Sequence, residues 1–119
     1  MQDLKERHKC LAINVAILIN GLSRTLVNDA YSKQLIRCSS SPGANYRAAC
    51  RGRSVADFAN KLKIVEEELD ETKYFLELLE HFNKEKSQAF KSLIDETDEL
   101  IAITVTSLKK IRGKTQFEK

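Results

Sequence analysis

Five basic side chains between residues 33 and 53 are spaced so that most of them would lie on one face of a helix. They are Lys33, Arg37, Arg47, Arg51 and Arg53. At 100° per residue, the first four fall within an arc about 80° wide. Cations grouped in this way can neutralise the phosphates of RNA or DNA, so all five are candidate nucleic-acid-binding residues.

Two other interpretations of this basic arc stay open. A row of exposed cations is often only a solvated helix face, and arginines can also pair with carboxylates of the same chain or of another subunit. Tyr31 and Tyr46 fall at about 160° and 220° from Lys33, away from the arc. The sequence therefore lacks the interleaved aromatic residues on which single-stranded bases would stack.

The charge is unevenly distributed along the chain. The net charge is only +3, but residues 1–63 carry 11 Lys and Arg against 4 Asp and Glu, whereas residues 64–119 carry 9 against 13. A basic half and an acidic half favour self-association or an anionic partner, without choosing between them.

No pattern in the sequence predicts catalysis, a cofactor or a metal. Glu77 and His81 could share a helix face, but a di-iron bundle needs two Glu-x-x-His pairs and further glutamates, and the chain has two histidines. Serines have no recognisable base with an orienting carboxylate, and there is no glycine-rich phosphate loop. We therefore expect a protein that is not an enzyme.

The expected location is the cytoplasm, without membrane insertion. The start of the sequence lacks a signal-peptide pattern, and the longest apolar run, Val15 to Ile19, is too short to span a bilayer. The chain has an odd number of cysteines without CxxC spacing, namely Cys10, Cys38 and Cys50. We therefore expect reduced, buried thiols.

The elements that would position these residues are helices. Apolar residues alternate at spacings of four and three in four segments, as in Leu11, Val15 and Leu18 or in Leu69, Thr72 and Leu76. The pattern predicts helices at about 4–22, 27–52, 55–82 and 86–111. We expect one all-α domain over residues 1–119, an antiparallel up-down four-helix bundle.

The stretch "SSSPGANYRAACRGR", Ser39 to Arg53, could be a loop or part of the second helix. Tyr31, Leu35, Cys38, Pro42, Asn45 and Ala49 continue the helical spacing through it, which favours a helix. Pro42 has no amide to donate to the carbonyl of Cys38, so a kink is expected. Ser54 has the position of an N-cap for the third helix, and Gly113 is expected to end the fourth.

A second apolar row on the third helix indicates a subunit interface. It comprises Ile64, Glu68, Glu71, Phe75, Leu78 and Phe82. Phe75 and Phe82 would be exposed in a monomer, and exposed patches of this kind usually mark interfaces. We therefore expect a homo-oligomer, in which the basic arc could supply partners for Glu68 and Glu71.

The segment "GANYRAACRGRSVADFANKLKIVEEELDETKYFLELL", Gly43 to Leu79, closely resembles the small four-helix-bundle proteins encoded by intervening sequences in bacterial 23S ribosomal RNA genes. The preceding "QLIRCSSSPGAN" is similar to the family as well, with Pro42 and Phe75 as departures. The resemblance implies a homopentamer of antiparallel four-helix bundles. It also implies kinship with the accessory variability protein of diversity-generating retroelements, which binds reverse transcriptase and nucleic acid.

Two kinds of function remain at this point. In the first, an oligomer binds RNA or DNA through the basic arc, without base specificity. In the second, the protein is a scaffold or adaptor for a protein partner, and the arginines hold its subunits together.

Overall fold

The computed structural model describes residues 3–117, with side chains described as far as Gly113. This part of the chain has four α-helices and no strand, which confirms the all-α, four-helix prediction. The helices are α1 (Leu4–Asn20), α2 (Leu26–Cys50), α3 (Val55–Phe82) and α4 (Ser87–Phe117), with a 3-10 turn at Lys84–Lys86 before α4. No described helix is both long and apolar enough to cross a membrane.

Each of the first three helices is preceded by a residue whose side chain accepts a hydrogen bond from a backbone amide that would otherwise be unpaired. Asp3 accepts from the amide of Lys5, and the Thr25 hydroxyl accepts from the amide of Asn28 at 3.0 Å. The predicted cap at Ser54 is confirmed, since its hydroxyl accepts from the amide of Asp57 at 3.1 Å.

The helix α2 continues through Pro42 and Gly43, so the loop interpretation of this stretch is wrong. Pro42 cannot donate to the Cys38 carbonyl, which would leave a buried acceptor without its usual partner. The hydroxyl of Thr72 on α3 lies 2.9 Å from this oxygen and 2.8 Å from the carbonyl oxygen of Glu68. A neighbouring helix therefore supplies the hydrogen bond that the proline removes.

The expected end of α4 at Gly113 is wrong, because the helix continues to Phe117. A glycine stops a helix by adopting a left-handed conformation, and no glycine in the described part of the chain has a positive φ. Gly113 therefore continues the right-handed helix.

The predicted four-three positions form the core. Fully buried residues include Leu11 and Val15 on α1, Leu35 and Cys38 on α2, Val65, Leu69 and Leu76 on α3, and Phe90, Thr97 and Leu100 on α4. On α4 the four-three spacing also predicts burial of Ile94 and Ile101, but both are only half-buried, and Leu93 and Leu100 lie deeper. The thiols also differ from expectation, since Cys38 is buried, Cys10 is half-buried and Cys50 is exposed.

A buried amide pair, which the spacing of apolar residues does not indicate, joins α2 to the end of α3. Asn28 Nδ2 donates to Asn83 Oδ1 at 3.1 Å, and Asn83 Nδ2 donates to Asn28 Oδ1 at 2.9 Å. Both residues are buried, so their reciprocal bonds satisfy amide groups that would otherwise cost free energy. Among the helix pairs, α2 and α3 pack most extensively, and α1 packs on α2 and, over a smaller area, on α4.

Candidate functional site

The five predicted cations do not form one continuous surface. Lys33, Arg37 and Arg47 lie within α2, Arg51 is its C-terminal cap, and Arg53 lies in the connection to α3. All five are exposed. Their neighbours differ, however, because Arg37 contacts carboxylates of α3, whereas Arg47 and Arg51 line a groove together with residues of α1.

Arg37 is paired within its own chain. One guanidinium nitrogen lies 3.4 Å from Glu68 Oε2, and another bonds Glu71. The charge of Glu71, first among several causes, raises the pKa of Arg37. The salt-bridge interpretation thus applies to Arg37 within its own chain, whereas its role in binding nucleic acid stays a prediction.

The predicted subunit-interface row on α3 is partly covered by α2 of the same chain. Glu68 and Glu71 bond Arg37, and the ring of Phe75 lies 6.0 Å from that of Tyr31. Phe75 and Leu78 are half-buried, so the expectation that Phe75 is exposed in one subunit is wrong.

The two ends of the same row remain exposed. Phe82 is 54% exposed and Ile64 is 37% exposed. A partner could therefore contact these two side chains, whereas α2 partly covers the middle of the row.

Arg47 and Arg51 face α1 across a groove of about 470 Å³, here called the basic groove. Its other wall carries Lys5 and Lys9, one helical turn apart on α1. In the part of the chain that the structure describes, none of these four cations forms an ion pair.

Sequence reasoning missed Lys5 and Lys9. The available signal was their spacing of four residues on a predicted helix within the basic half of the chain. Two carboxylates, Asp3 and Glu6, also line the basic groove, so the net charge of its lining residues is +2. The structure thus brings Arg47 and Arg51 together with two lysines from another helix.

Small residues also line the basic groove. Ala12, Gly43 and Ala44 line it, and a Cβ atom placed on Gly43 would lie 3.2 Å from the Cβ of His8. Gly43 therefore allows α1 and α2 to approach closely at this point.

His8 lies beneath the basic groove and is 2% exposed. Its ring stacks on Tyr46 with centroids 5.2 Å apart, and its Nδ1 has no hydrogen-bond partner among the described residues. Burial, followed by the charge of Arg7, lowers the pKa of His8 to about 4. The imidazole is therefore neutral at neutral pH and adds no charge to the groove.

Lys33 lies in a different groove, between the second half of α1 and the first half of α2. This apolar groove has a volume of about 610 Å³ and is lined by Ile17, Ile19, Leu22 and Ile36, among others. Ile17 is 67% exposed. Lys33 is thus separated from the cations of the basic groove.

Two kinds of reactive group would indicate chemistry among the described side chains, a metal-binding cluster and an activated thiol. No group of three His, Cys, Asp or Glu residues in the described part of the chain could hold a metal ion. Burial raises the pKa of the Cys38 thiol to about 11, so this thiol is protonated at neutral pH and is a poor nucleophile. The basic groove is the site with free charges on two converging walls.

Comparison with known proteins places this bundle among its relatives. The family model for 23S rRNA-intervening sequence proteins matches residues 3–106. The chain belongs to this family. A crystal structure of a protein of unknown function from the S23 ribosomal protein family of Bacteroides thetaiotaomicron is similar, with 30% sequence identity and a TM-score of 0.79. The match covers 90% of this chain and 99% of that chain.

No curated protein matches this member of the intervening-sequence family. The similar crystal structure supports the same helical fold over nearly the whole of both chains. The residues of the basic groove all lie within the part matched by the family model, 3–106.

Proposed function

We propose that this intervening-sequence protein is a non-enzymatic, cytoplasmic nucleic-acid-binding protein that works as an oligomer of antiparallel four-helix bundles. The observation that carries the proposal is the basic groove, in which four unpaired cations converge from two helices. Neutralising phosphates with such cations releases counterions, which provides most of the affinity in binding without base specificity. Arg53 and Lys33 do not line the groove.

An antiparallel arrangement is supported by the order of contacts between helices. From Asn28 to Cys38 on α2, the partners on α3 run backwards from Asn83 to Thr72. In the same way Lys73 of α3 pairs with Asp98 of α4, whereas Glu80, further along α3, accepts from Ser87. Residue numbers that rise on one helix and fall on the next are typical of an up-down bundle.

An oligomer is supported by large apolar side chains that one subunit leaves exposed. Ile13 and Ile17 on α1 are 47% and 67% exposed, and Tyr74 and Phe82 on α3 are 57% and 54% exposed. Apolar surface on two sides suits a head-to-tail ring, and the resemblance noted above implies five subunits. In this arrangement each subunit would contribute one basic groove.

Sedimentation at micromolar concentration tests the assembly. We expect a closed oligomer, and Ile17→Glu should shift it toward smaller species because it places a charge on an apolar contact. A wild-type protein that sediments as a monomer at all concentrations would refute the oligomer.

A salt series tests nucleic-acid binding. The affinity of the wild-type protein for a labelled RNA should fall steadily between about 50 and 200 mM salt. Absence of binding at the lowest salt concentration would refute this function.

The second candidate function is a protein-binding scaffold, and the apolar groove is the observation that favours it. The exposed Ile17 and its neighbour Ile36 form the kind of surface that accepts the apolar face of a helix. A protein without RNA affinity that still forms the oligomer would favour this alternative.

A further inference from the structure

The two grooves between α1 and α2 differ in their chemistry. The apolar groove is lined by large aliphatic side chains such as Ile17 and Ile36. The described residues that line the basic groove include no Leu, Ile, Val or Phe. A docked protein helix normally needs large apolar anchors, so the basic groove is poorly suited to a protein partner.

The basic groove has three properties that suit a chain of phosphates. Its cations come from both helices, small residues such as Ala44 also line it, and both features leave room for a charged backbone to lie along the groove. Lys5 and Lys9 are separated by four residues, about 6 Å along a helix axis. This rise is comparable to the separation of successive phosphates along one nucleic-acid strand.

The other arginines near this face are engaged elsewhere. Arg7 donates two hydrogen bonds to Glu96 of α4, at 3.0 and 2.6 Å, and lies 3.5 Å from Glu99. Arg37 pairs with carboxylates of α3. Unlike Arg7 and Arg37, the four cations of the basic groove form no ion pair with a described residue.

We propose that the basic groove binds one sugar–phosphate strand of a nucleic acid, with Lys5 and Lys9 on one wall and Arg47 and Arg51 on the other. This inference rests on the proposed function and deepens it by naming the site and the part of the nucleic acid that it contacts. Contacts of this kind position a strand without reading its bases. The assignment gives α1 a direct role in binding that the spacing of the α2 cations does not suggest.

A pair of double variants with equal charge changes tests the site. Lys5→Gln/Lys9→Gln removes two charges from the groove, and Lys33→Gln/Arg53→Gln removes two charges that lie outside it. The probe is a fluorescein-labelled single-stranded RNA of mixed sequence, with single-stranded DNA of the same sequence in parallel, measured by anisotropy between about 50 and 200 mM salt. Circular dichroism and sedimentation check that both variants keep the helix content and assembly of the wild type.

The groove variant should lose about 25-fold in RNA affinity at 0.1 M salt, since each lost contact to a single strand contributes a slope of about 0.7. Its salt slope should fall by about 1.4. The control variant should retain most of its affinity and slope, because neither Lys33 nor Arg53 lines the groove. DNA should follow RNA for both variants, as backbone contacts alone predict.

A change of size without a change of charge gives an independent test. Ala44→Leu would add bulk to the groove lining, whereas Ala48→Leu adds the same side chain at an equally exposed position of α2 that does not line the groove. Only the first should weaken RNA binding. Two results would overturn the groove assignment while leaving nucleic-acid binding intact. One is an equal loss of RNA affinity in both double variants, and the other is an Ala44→Leu protein that binds RNA as tightly as the wild type. Wild-type protein that binds neither probe at about 50 mM salt would overturn both proposals.

Discussion

Replacing Thr72 with valine should expose the cost of placing a proline inside α2. Pro42 has no amide, so the Cys38 carbonyl receives its hydrogen bond from the Thr72 hydroxyl at 2.9 Å. Valine has nearly the same shape and leaves no cavity, but it cannot donate. The buried carbonyl would be stranded, and a stranded buried acceptor costs about 1–3 kcal/mol of unfolding free energy.

Thr97→Val is the matched control on α4. Thr97 is as buried as Thr72, and its hydroxyl donates to the carbonyl of Leu93 at 2.7 Å. That carbonyl belongs to an uninterrupted helix and keeps its backbone amide partner, so the control should change stability by close to zero. Urea unfolding at a fixed protein concentration measures both variants, because the stability of an oligomer depends on concentration.

Pro42→Ala provides the second half of the test. The restored amide can bond the Cys38 carbonyl within α2, so Thr72→Val should cost less in this background. The coupling between the two changes should lie between about 0.5 and 3 kcal/mol. Equal costs for Thr72→Val in the two backgrounds, or a cost no larger than that of Thr97→Val, would refute the role assigned to Thr72.

Three further predictions concern single residues. The pKa of His8 is about 4 in the folded chain against 6.5 for an ordinary histidine. The stability that the buried neutral ring contributes is therefore present above pH 6.5 and is lost as the pH falls toward 4. His8→Leu should flatten the pH dependence of the unfolding free energy in urea over this range, and an unchanged profile would contradict the burial of a neutral ring. Asn28→Ala should lower the unfolding free energy by about 1–3 kcal/mol, because it removes the donor to the buried Oδ1 of Asn83, whereas Asn83 Nδ2 keeps the Leu79 carbonyl; a loss no larger than for an exposed alanine substitution would argue against the pair. Arg37→Gln should leave RNA affinity nearly unchanged in the anisotropy assay because Glu68 and Glu71 already neutralise this cation, whereas a large loss would restore Arg37 to the binding surface.

The sequence by itself was sufficient to predict the helices and most of the core. Spacings of four and three residues place Leu11, Val15 and Leu69 on buried faces, and the side chain of Ser54 has a local role as a cap. These features depend on neighbours within one or two helical turns, so they can be predicted before any packing is known. The uninterrupted periodicity also predicts that α2 continues through Pro42. It does not predict which side chain bonds the Cys38 carbonyl.

Only the tertiary structure decided which charges are free and where they converge. Lys33, Arg37 and Arg47 share one face of an isolated α2. In the folded chain, a carboxylate of α3 pairs with Arg37, and Lys33 and Arg47 line two different grooves between α1 and α2. Lys5 and Lys9 join the site from a helix some 40 residues earlier in the chain. Their convergence depends on how far each helix is rotated about its own axis, and on the close approach that Gly43 permits. Helical periodicity alone cannot set either quantity, because both arise from the packing of side chains on different helices.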